Sequence, residues 1–274
     1  MKNCVLTIGK FEGIHLGHQA LLNKVVRRAQ ILKIASAVMV FEPHPYIFFG
    51  NADYKPLFTN EERNKLLTNI GVDYIFTCPF DENFAALSPQ KFCKKIFDEY
   101  SAKVVIVGKD YRFGKDRVGD VELLREEAES YGAKVEIISS VEQDAGGQAT
   151  RTISTSNIRK LLTDGNIAEV NLQFGFPFFI TGIAAKARQS DRKLGFTLNV
   201  HLSKEKFLPS DGVYVTRTKV NDATYHSITN IGLHSTVDGC VTRSATTHLP
   251  DYTGADPDGE CIKVEFLTLS HLNS

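Results

Sequence analysis

Along the first two thirds of the chain, short apolar runs alternate with stretches whose apolar positions recur every three or four residues. Val5–Ile8, Ala35–Phe41, Asp73–Thr77, Val104–Val107 and Lys134–Ser139 are short, rich in β-branched residues and nearly continuous in apolar character. That pattern predicts strands buried on both faces. Between them, His18–Leu32, Asn60–Ile70, Pro89–Tyr100 and Asp120–Tyr131 carry the helical period, and Ser156–Leu162 adds a helix that ends at Gly165. Thr59 with Glu62 predicts a capping box, and Ser88-Pro89 an N-cap followed by proline at the first helical position. Alternation of strand and helix predicts an α/β fold with a Rossmann-like parallel sheet covered by helices.

Beyond about Gly175 the helical period is lost. Phe178–Ala185, Thr197–Leu202, Gly212–Val220, Thr224–Ile231, Cys240–His248 and Cys261–Leu269 read as strands, separated by Asn-Asp, Asp-Gly and proline-rich turns. Regularly spaced short strands without helices predict a small antiparallel barrel or sandwich. The expected division is therefore an α/β domain over residues 1–177 and a β-barrel domain over 178–274.

Charge narrows the function. The 274 residues carry 32 basic and 32 acidic side chains. A net charge of zero argues against a nucleic-acid partner, while leaving room for small anionic ligands held by a few local cations. The five cysteines are odd in number and include no Cys-x-x-Cys pair, which predicts free thiols in a reducing compartment rather than a disulfide framework or a zinc site. The N-terminus offers one lysine and an apolar stretch of about five residues, too short for a signal peptide. No apolar run approaches the ~18 residues that span a bilayer. The expectation is a soluble cytoplasmic protein with no membrane partner; the sequence gives no indication of oligomeric state.

The chemistry starts at GKFEGIHLGH, between the first strand and the first long helix. The first strand-to-helix turn of a parallel sheet lies at its carboxyl edge, where ligands bind. Gly9, Gly13 and Gly17 are expected to allow tight turning and close approach of a ligand. The helix N-terminus offers free N–H groups and a partial positive charge suited to phosphate. His15 and His18 are three residues apart and share one face of the first turn. The plain alternative is a pair of neutral histidines that merely cap a helix. There is no Gly-Lys-Ser/Thr ending and no Gly-x-Gly-x-x-Gly, so neither a Walker loop nor a dinucleotide fingerprint is present.

A second candidate is ISTSNIRKLL, Ile153–Leu162. Ser154, Thr155 and Ser156 place hydroxyls at a helix start, and Arg159 follows Ser156 by three positions. Hydroxyls, N–H groups and a guanidinium suit phosphate oxygens, whereas ordinary N-capping with a solvated arginine is the simpler reading of the stretch alone. FEPHPYIFFG adds Pro43 and Pro45, which stiffen the end of strand two, with Phe41, Tyr46, Phe48 and Phe49 as apolar surface. By itself that segment reads as an aromatic cluster under a loop.

Together these stretches carry a resemblance. His-x-Gly-His after the first strand, with Ser/Thr-x-x-Arg at a helix start after the last, resembles the nucleotidyltransferase superfamily. TIGKFEGIHLGHQALL, VMVFEPHPYIFF, PFDENFAALSPQKF, VIVGKDYRFGKDRVGDVELL and ISTSNIRKLL are similar, in order, to the bacterial bifunctional riboflavin kinase/FAD synthetase family, over nearly all of residues 4–175. The departures are Glu12, where the family usually has aspartate, and Lys10, often asparagine there. The resemblance implies an FMN adenylyltransferase with substrates ATP and FMN, magnesium riding on the triphosphate and no dedicated protein metal site. It implies ATP contacts from Gly9, Lys10, Phe11, Gly13, His15, His18, Ser154, Thr155, Ser156 and Arg159, with His15, His18 and Arg159 acting on the transferred charge. It implies flavin contacts from Phe41, Pro43, His44, Pro45, Phe49, Asp110 and Phe113; Arg112, Lys115 and Arg117 are left as a solvated basic edge.

The resemblance continues through KLGFTLNVHL, LPSDGVYVTRTKV and TNIGLHSTVDG into the family's riboflavin kinase barrel, with its working parts altered. The family's glycine-rich nucleotide loop is AAKARQSDRK here, with Ala187, Gln189 and Asp191 in the way of close backbone approach. Its Gly-Phe-Pro-Thr-Ala-Asn is GFTLN, so Thr197 and Asn199 lose the family spacing. Thr246 stands where the family has a catalytic glutamate, and threonine is no carboxylate base. The sequence ends at HLNS, short of the family's closing helix. The expectation is an FAD synthetase without a working kinase. The alternatives are a bifunctional enzyme, with Asp251 or Glu265 as substitute base, and a non-catalytic flavin-binding protein on an enzyme scaffold.

Overall fold

The computed structural model describes residues 3–138, 142–145, 148–186, 195–235 and 241–270. The chain packs as two compact units, residues 1–54 with 63–153, and residues 55–62 with 154–274.

In the first unit, strands β1 (Cys4–Ile8), β2 (Ala35–Glu42), β3 (Tyr74–Pro79), β4 (Ala102–Gly108) and β5 (Lys134–Ile138) form one sheet in the order β3-β2-β1-β4-β5. All four pairings are parallel. Helices α1 (Leu16–Leu32), α2 (Pro45–Phe48), α3 (Asn60–Ile70), α4 (Glu82–Ala85), α5 (Pro89–Lys94) and α6 (Val121–Ser130) connect the strands. Every residue of β1 is buried. On one face, Val5, Val104 and Ile106 pack with Val25 and Ala29 of α1. On the other, Leu6, Met39 and Val105 pack with Phe92, Ile96 and Leu124. This two-sided burial is why the strands read as unbroken apolar runs.

The expected caps form. The Thr59 hydroxyl accepts the Glu62 N–H at 3.2 Å while the Glu62 carboxylate accepts the Thr59 N–H at 2.9 Å. Ser88 accepts the Lys91 N–H at 3.3 Å with Pro89 at the helix start. The expected helix Pro89–Tyr100 is α-helical only to Lys94 and then widens into a π turn over Lys95–Glu99. α2 and α4, four residues each, are too short to show a period. A hairpin of β6 (Glu142–Ala145) and β7 (Gln148–Thr152) precedes Ile153; its sequence lacks the apolar alternation that betrays a strand. Ser139 and Cys240, expected at strand ends, lie outside the described residues.

The second unit holds α7 (Thr155–Thr163), α8 (Ile167–Phe174) and strands β8 (Phe179–Lys186), β9 (Phe196–Leu202), β10 (Gly212–Val220), β11 (Ala223–Ser235), β12 (Val241–Leu249) and β13 (Cys261–Leu269). These strands close into an antiparallel barrel in the order β10-β11-β12-β9-β8-β13. Closure removes exposed strand edges. The Asn171 side chain ties α8 to the barrel by accepting the Phe178 N–H at 2.7 Å and donating to the Phe266 carbonyl at 2.9 Å. Part of the barrel core is polar. Thr216, Thr218, Ser227, Thr229 and Thr247 are buried, and their hydroxyls close a ring of five hydrogen bonds at 2.8–3.3 Å. A hydroxyl both donates and accepts, so a closed ring satisfies every member.

A buried ion pair fixes segment 55–62 within this unit. Lys206, 2 % exposed, donates to Glu62 and to the Leu57 carbonyl, each at 2.6 Å. The Phe58 and Phe178 ring centroids lie 4.4 and 5.0 Å from its ammonium. Glu62 also accepts the N–H and hydroxyl of Thr181, both at 2.8 Å. Burial lowers the Lys206 pKa to about 8, against the opposing pull of Glu62. Removing either partner strands the other charge in an apolar setting. Lys206→Met or Glu62→Gln is expected to cost about 3–5 kcal/mol in urea unfolding, with the double variant recovering part of the loss. Single-variant losses below about 1 kcal/mol, the scale of exposed pairs, would show that the pair is not the fastening described.

Candidate active site

The strand order reverses between β1 and β4. In an open parallel sheet this leaves a crevice at the carboxyl ends of those two strands, because the connections leave in opposite directions. The GKFEGIHLGH loop follows β1 and the GKDYRFG loop follows β4, so both expected ligand loops flank the crevice.

The first loop is rigidly held. The Gly9 N–H donates to the Met39 carbonyl at 3.1 Å, and residues 11–15 are all buried. The expected role of the glycines needs correction. The left-handed backbone positions are Phe11 (φ 45°) and Ile14 (φ 41°), with none at Gly9, Gly13 or Gly17. Gly9 and Gly17 instead supply space: a Cβ on Gly9 would lie 3.0 Å from the Phe11 ring, and one on Gly17 3.2 Å from the His15 ring. The room they leave goes to the rings of the loop itself.

His15 is the N-cap of α1, and its Nδ1 accepts the His18 N–H at 3.4 Å. That bond assigns the ring proton to Nε2. The His15 and His18 rings stack with centroids 3.9 Å apart and planes 15° apart, and Phe11 meets His18 edge-on at 5.2 Å. Burial lowers the His15 pKa to about 4. Burial, and then the proximity of His15, push His18 well below its ordinary value. The His18 Nδ1 is buried with no hydrogen-bond partner among the described residues. Two neutral imidazoles thus stand at a helix N-terminus, one with an unsatisfied nitrogen.

Three of the expected flavin residues, Phe41, Phe49 and Phe113, belong to one chain of aromatic contacts. Phe49 meets Phe80 at 5.9 Å, Phe80 meets Phe41 at 5.5 Å, and Phe41 meets Phe84 at 5.5 Å. Phe84 meets Phe92 at 6.0 Å, and Phe92 meets Phe113 at 5.1 Å. Phe80 and Phe84, which link the chain, were not expected; their signal is the i, i+4 spacing within PFDENF. Phe49 is 71 % exposed and Phe113 only 4 %, so Phe113 is chiefly core and Phe49 a surface ring. Pro43 and Asp110 are exposed, and Pro45 opens α2 with His44 as its N-cap. Arg112 pairs with Asp120 at 3.1 Å.

The remaining candidates lie in the second unit. Ser154, not Ser156, caps α7, accepting the Asn157 N–H at 3.3 Å. Thr155 opens the helix and Ser156 is exposed. Arg159 donates to the Lys55 carbonyl at 2.6 Å, and its guanidinium lies 4.9 Å from the Phe207 ring centroid. The Ser154 hydroxyl is thus spent on capping, and Arg159 is oriented by contacts that its sequence spacing does not reveal. In the barrel, Thr246 donates to Asn199 at 2.9 Å, and Thr197 pairs with the His248 ring at 3.0 Å. Ala187, Gln189 and Asp191 lie outside the described residues.

Comparison with known proteins agrees with this architecture. A FAD synthetase family model matches residues 1–153, and a riboflavin kinase model matches residues 174–272. The bifunctional riboflavin kinase/FMN adenylyltransferase of Escherichia coli (strain K12) is 35% identical over 255 residues, covering 91% of this chain and 79% of that protein. The protein of the same name from Listeria monocytogenes serovar 1/2a is 30% identical over 237 residues, covering 85% and 74%. The crystal structure of a macrolide-efflux protein from Streptococcus pneumoniae superposes with TM-score 0.85 and 27% identity, covering 98% of this chain and 86% of that one. Among the described residues, no helix here is long and apolar enough to cross a membrane. The fold and the matched families define an enzyme of the nucleotidyltransferase class. The chain belongs to the bacterial bifunctional riboflavin kinase/FMN adenylyltransferase family.

The buried histidines predict an acid-sensitive fold. The unfolded chain takes up protons on His15 near the ordinary value of 6.5, whereas the folded chain resists until about 4. Their stabilising contribution is therefore complete above about 6.5 and is lost as pH falls from there toward about 4. Melting temperature against pH should fall less steeply over this window in a His15→Gln/His18→Gln variant than in the unaltered protein. Parallel curves would mean that the histidines titrate normally in the folded state.

Proposed function

We propose that the protein transfers AMP from ATP to FMN, giving FAD and pyrophosphate. The observation that carries this reading is the neutral, stacked His15–His18 pair at the first turn of α1, beside the crevice between β1 and β4. An oxygen of the FMN phosphate attacks the α-phosphorus of ATP, and the bond from that phosphorus to the bridging oxygen of pyrophosphate breaks. Such transfer needs alignment and stabilisation of charge on the phosphoryl oxygens more than a protein nucleophile. His15 supplies its Nε2–H as a donor, with the stacked His18 ring beside it at the same helix start. Gly9, Lys10, Phe11 and Gly13 form the wall of the nucleotide site. Phe41, Pro43, His44, Pro45, Phe49, Asp110 and Phe113 border the flavin, through ring stacking and the stiff proline pair. Magnesium would arrive as part of the ATP substrate and would supply charge neutralisation for the pyrophosphate; no His15 or His18 nitrogen is assigned to it.

We further propose that the barrel has no riboflavin kinase activity. Thr246, Asn199, Thr197 and His248 hydrogen-bond one another across β9 and β12, and none is a carboxylate base. The substitute base Glu265 is held between Arg217 and Lys263, each at 2.8 Å. Both of its carboxylate oxygens are thus taken up by ion pairs instead of standing free for a substrate hydroxyl. The riboflavin kinase family match over residues 174–272 supports the second reading, a bifunctional enzyme.

Chromatography of products formed from Mg-ATP with FMN, or with riboflavin, separates these readings. FAD from FMN and no FMN from riboflavin is the expected result. FMN production at a rate comparable to FAD synthesis would establish the bifunctional reading, and no FAD from FMN would end the transferase proposal. A folded His15→Ala/His18→Ala variant should lose at least about a hundredfold in kcat, the scale of removing donors to transition-state charge. Unchanged FAD formation in that variant would remove the histidines from the mechanism.

A further inference from the structure

The first-strand loop makes a second set of contacts that the transfer chemistry does not use. Glu12 is 5 % exposed, in the middle of the buried 11–15 stretch. A carboxylate so placed requires polar partners. The Tyr54 hydroxyl donates to Glu12 Oε2. Nε2 of His44 faces the same carboxylate oxygen at 3.8 Å. The His44 ring stacks on the Tyr54 ring, with centroids 4.6 Å apart and planes 18° apart. Tyr46 closes the group, its ring 5.3 Å from His44 and 5.1 Å from Tyr54. The Lys10 ammonium also lies 4.0 Å from the Tyr46 ring centroid. Loop residues Lys10 and Glu12 thus grip the segment from Pro43 to Tyr54 at two points.

The two partners differ in burial. The loop is core, while Pro43, Tyr46 and residues 49–53 are exposed. An exposed arm of this length, with only short helical structure, requires an anchor to hold one geometry. The state of His44 shows which way the anchor faces. Its Nδ1 accepts the Tyr46 N–H at 3.3 Å, which leaves the ring proton on Nε2, directed toward Glu12. His44 therefore orients the arm through Glu12 instead of offering a nitrogen to a substrate.

We propose that Glu12 is a positioning residue for the flavin substrate: through Tyr54 and His44 it holds the Pro43–Tyr54 arm where the arm meets FMN. This rests on the assignment of FMN as substrate. A carboxylate touching either substrate's phosphates would repel them, and its neutralisation would tighten binding. An anchor behaves oppositely, since loosening it weakens FMN alone.

The test uses the full chain as Glu12→Gln, Tyr54→Phe and the double variant. Tyr54→Phe keeps the ring stack and deletes only the hydroxyl, so it remains informative should Glu12→Gln fail to fold. FMN affinity is read by flavin fluorescence quenching, which needs no turnover, and KM and kcat by FAD formation. Each single variant should raise the Kd and KM for FMN about tenfold, the scale of one hydrogen bond to a charged group. The KM for ATP should move less than about twofold. The double variant should be no worse than the worse single, because both act through one contact. Tighter FMN binding in Glu12→Gln, equal changes for both substrates, additive losses, or no change in Tyr54→Phe would each overturn the proposal. FAD synthesis by the unaltered protein is scored separately, so failure of the transferase reading is distinguishable from failure of this one.

Discussion

The parallel pairing of β1 with β2 on one side and β4 on the other is the constraint on which the site depends. It places the loops after β1 and β4 on either side of one crevice. It also buries β1 on both faces, so Gly9 leaves the sheet at a fixed point and direction. The histidine loop inherits that rigidity. His15 caps α1, its ring holds the His18 backbone, and the missing side chains at Gly9 and Gly17 give Phe11 and His15 their seats. A slip of β1 by one residue would exchange the side chains packed on α1 with those packed on the opposite helices and carry Gly9 off the Met39 carbonyl.

Burial of the histidines has a chemical meaning for the proposed transfer. A permanent imidazolium would attract ATP in the ground state and the transition state alike, which tightens binding without speeding the chemical step. A neutral N–H donor in a partly dry site gains most where negative charge accumulates during reaction. The energetic cost of withdrawing two imidazoles from water is borne by the packing of α1 on the sheet, through Leu22, Val25 and Ala29. Fold and chemistry are coupled at the same helix.

The sequence revealed the elements with strong periods and missed those without. The five sheet strands and six barrel strands were legible because each is a run of β-branched residues with turn residues at its ends. The single turns α2 and α4 were not, since four residues cannot show a period. In the site, spacing found His15 and His18. Spacing did not find Tyr54 as the partner of Glu12, or Phe207 and Lys55 as partners of Arg159. These pairs are separated in sequence by 42, 48 and 104 positions, and only the folded chain brings them together. Glycine misled in one respect. Three glycines in a loop suggest unusual backbone angles, yet here the left-handed angles fall on Phe11 and Ile14, and Gly9 and Gly17 leave volume for neighbouring rings.

Residues 55–62 lie between β2 and β3 in the sequence and yet belong to the barrel-bearing unit. The chain therefore passes from one unit to the other three times, after residues 54, 62 and 153. The units are interleaved instead of strung in tandem, and no single cut separates them cleanly. A fragment ending at Ile153 would carry Phe58 and Glu62 away from the rings and the lysine that surround them. A fragment starting at Ser154 would keep Lys206 with neither its carboxylate nor the Leu57 carbonyl. During synthesis, the ribosome releases residues 55–62 long before the strands that receive them, so this stretch must wait for the barrel. A gene for the barrel alone is an incomplete instruction, and evolutionary exchange of either half as a cassette would have to move an eight-residue insert along with it.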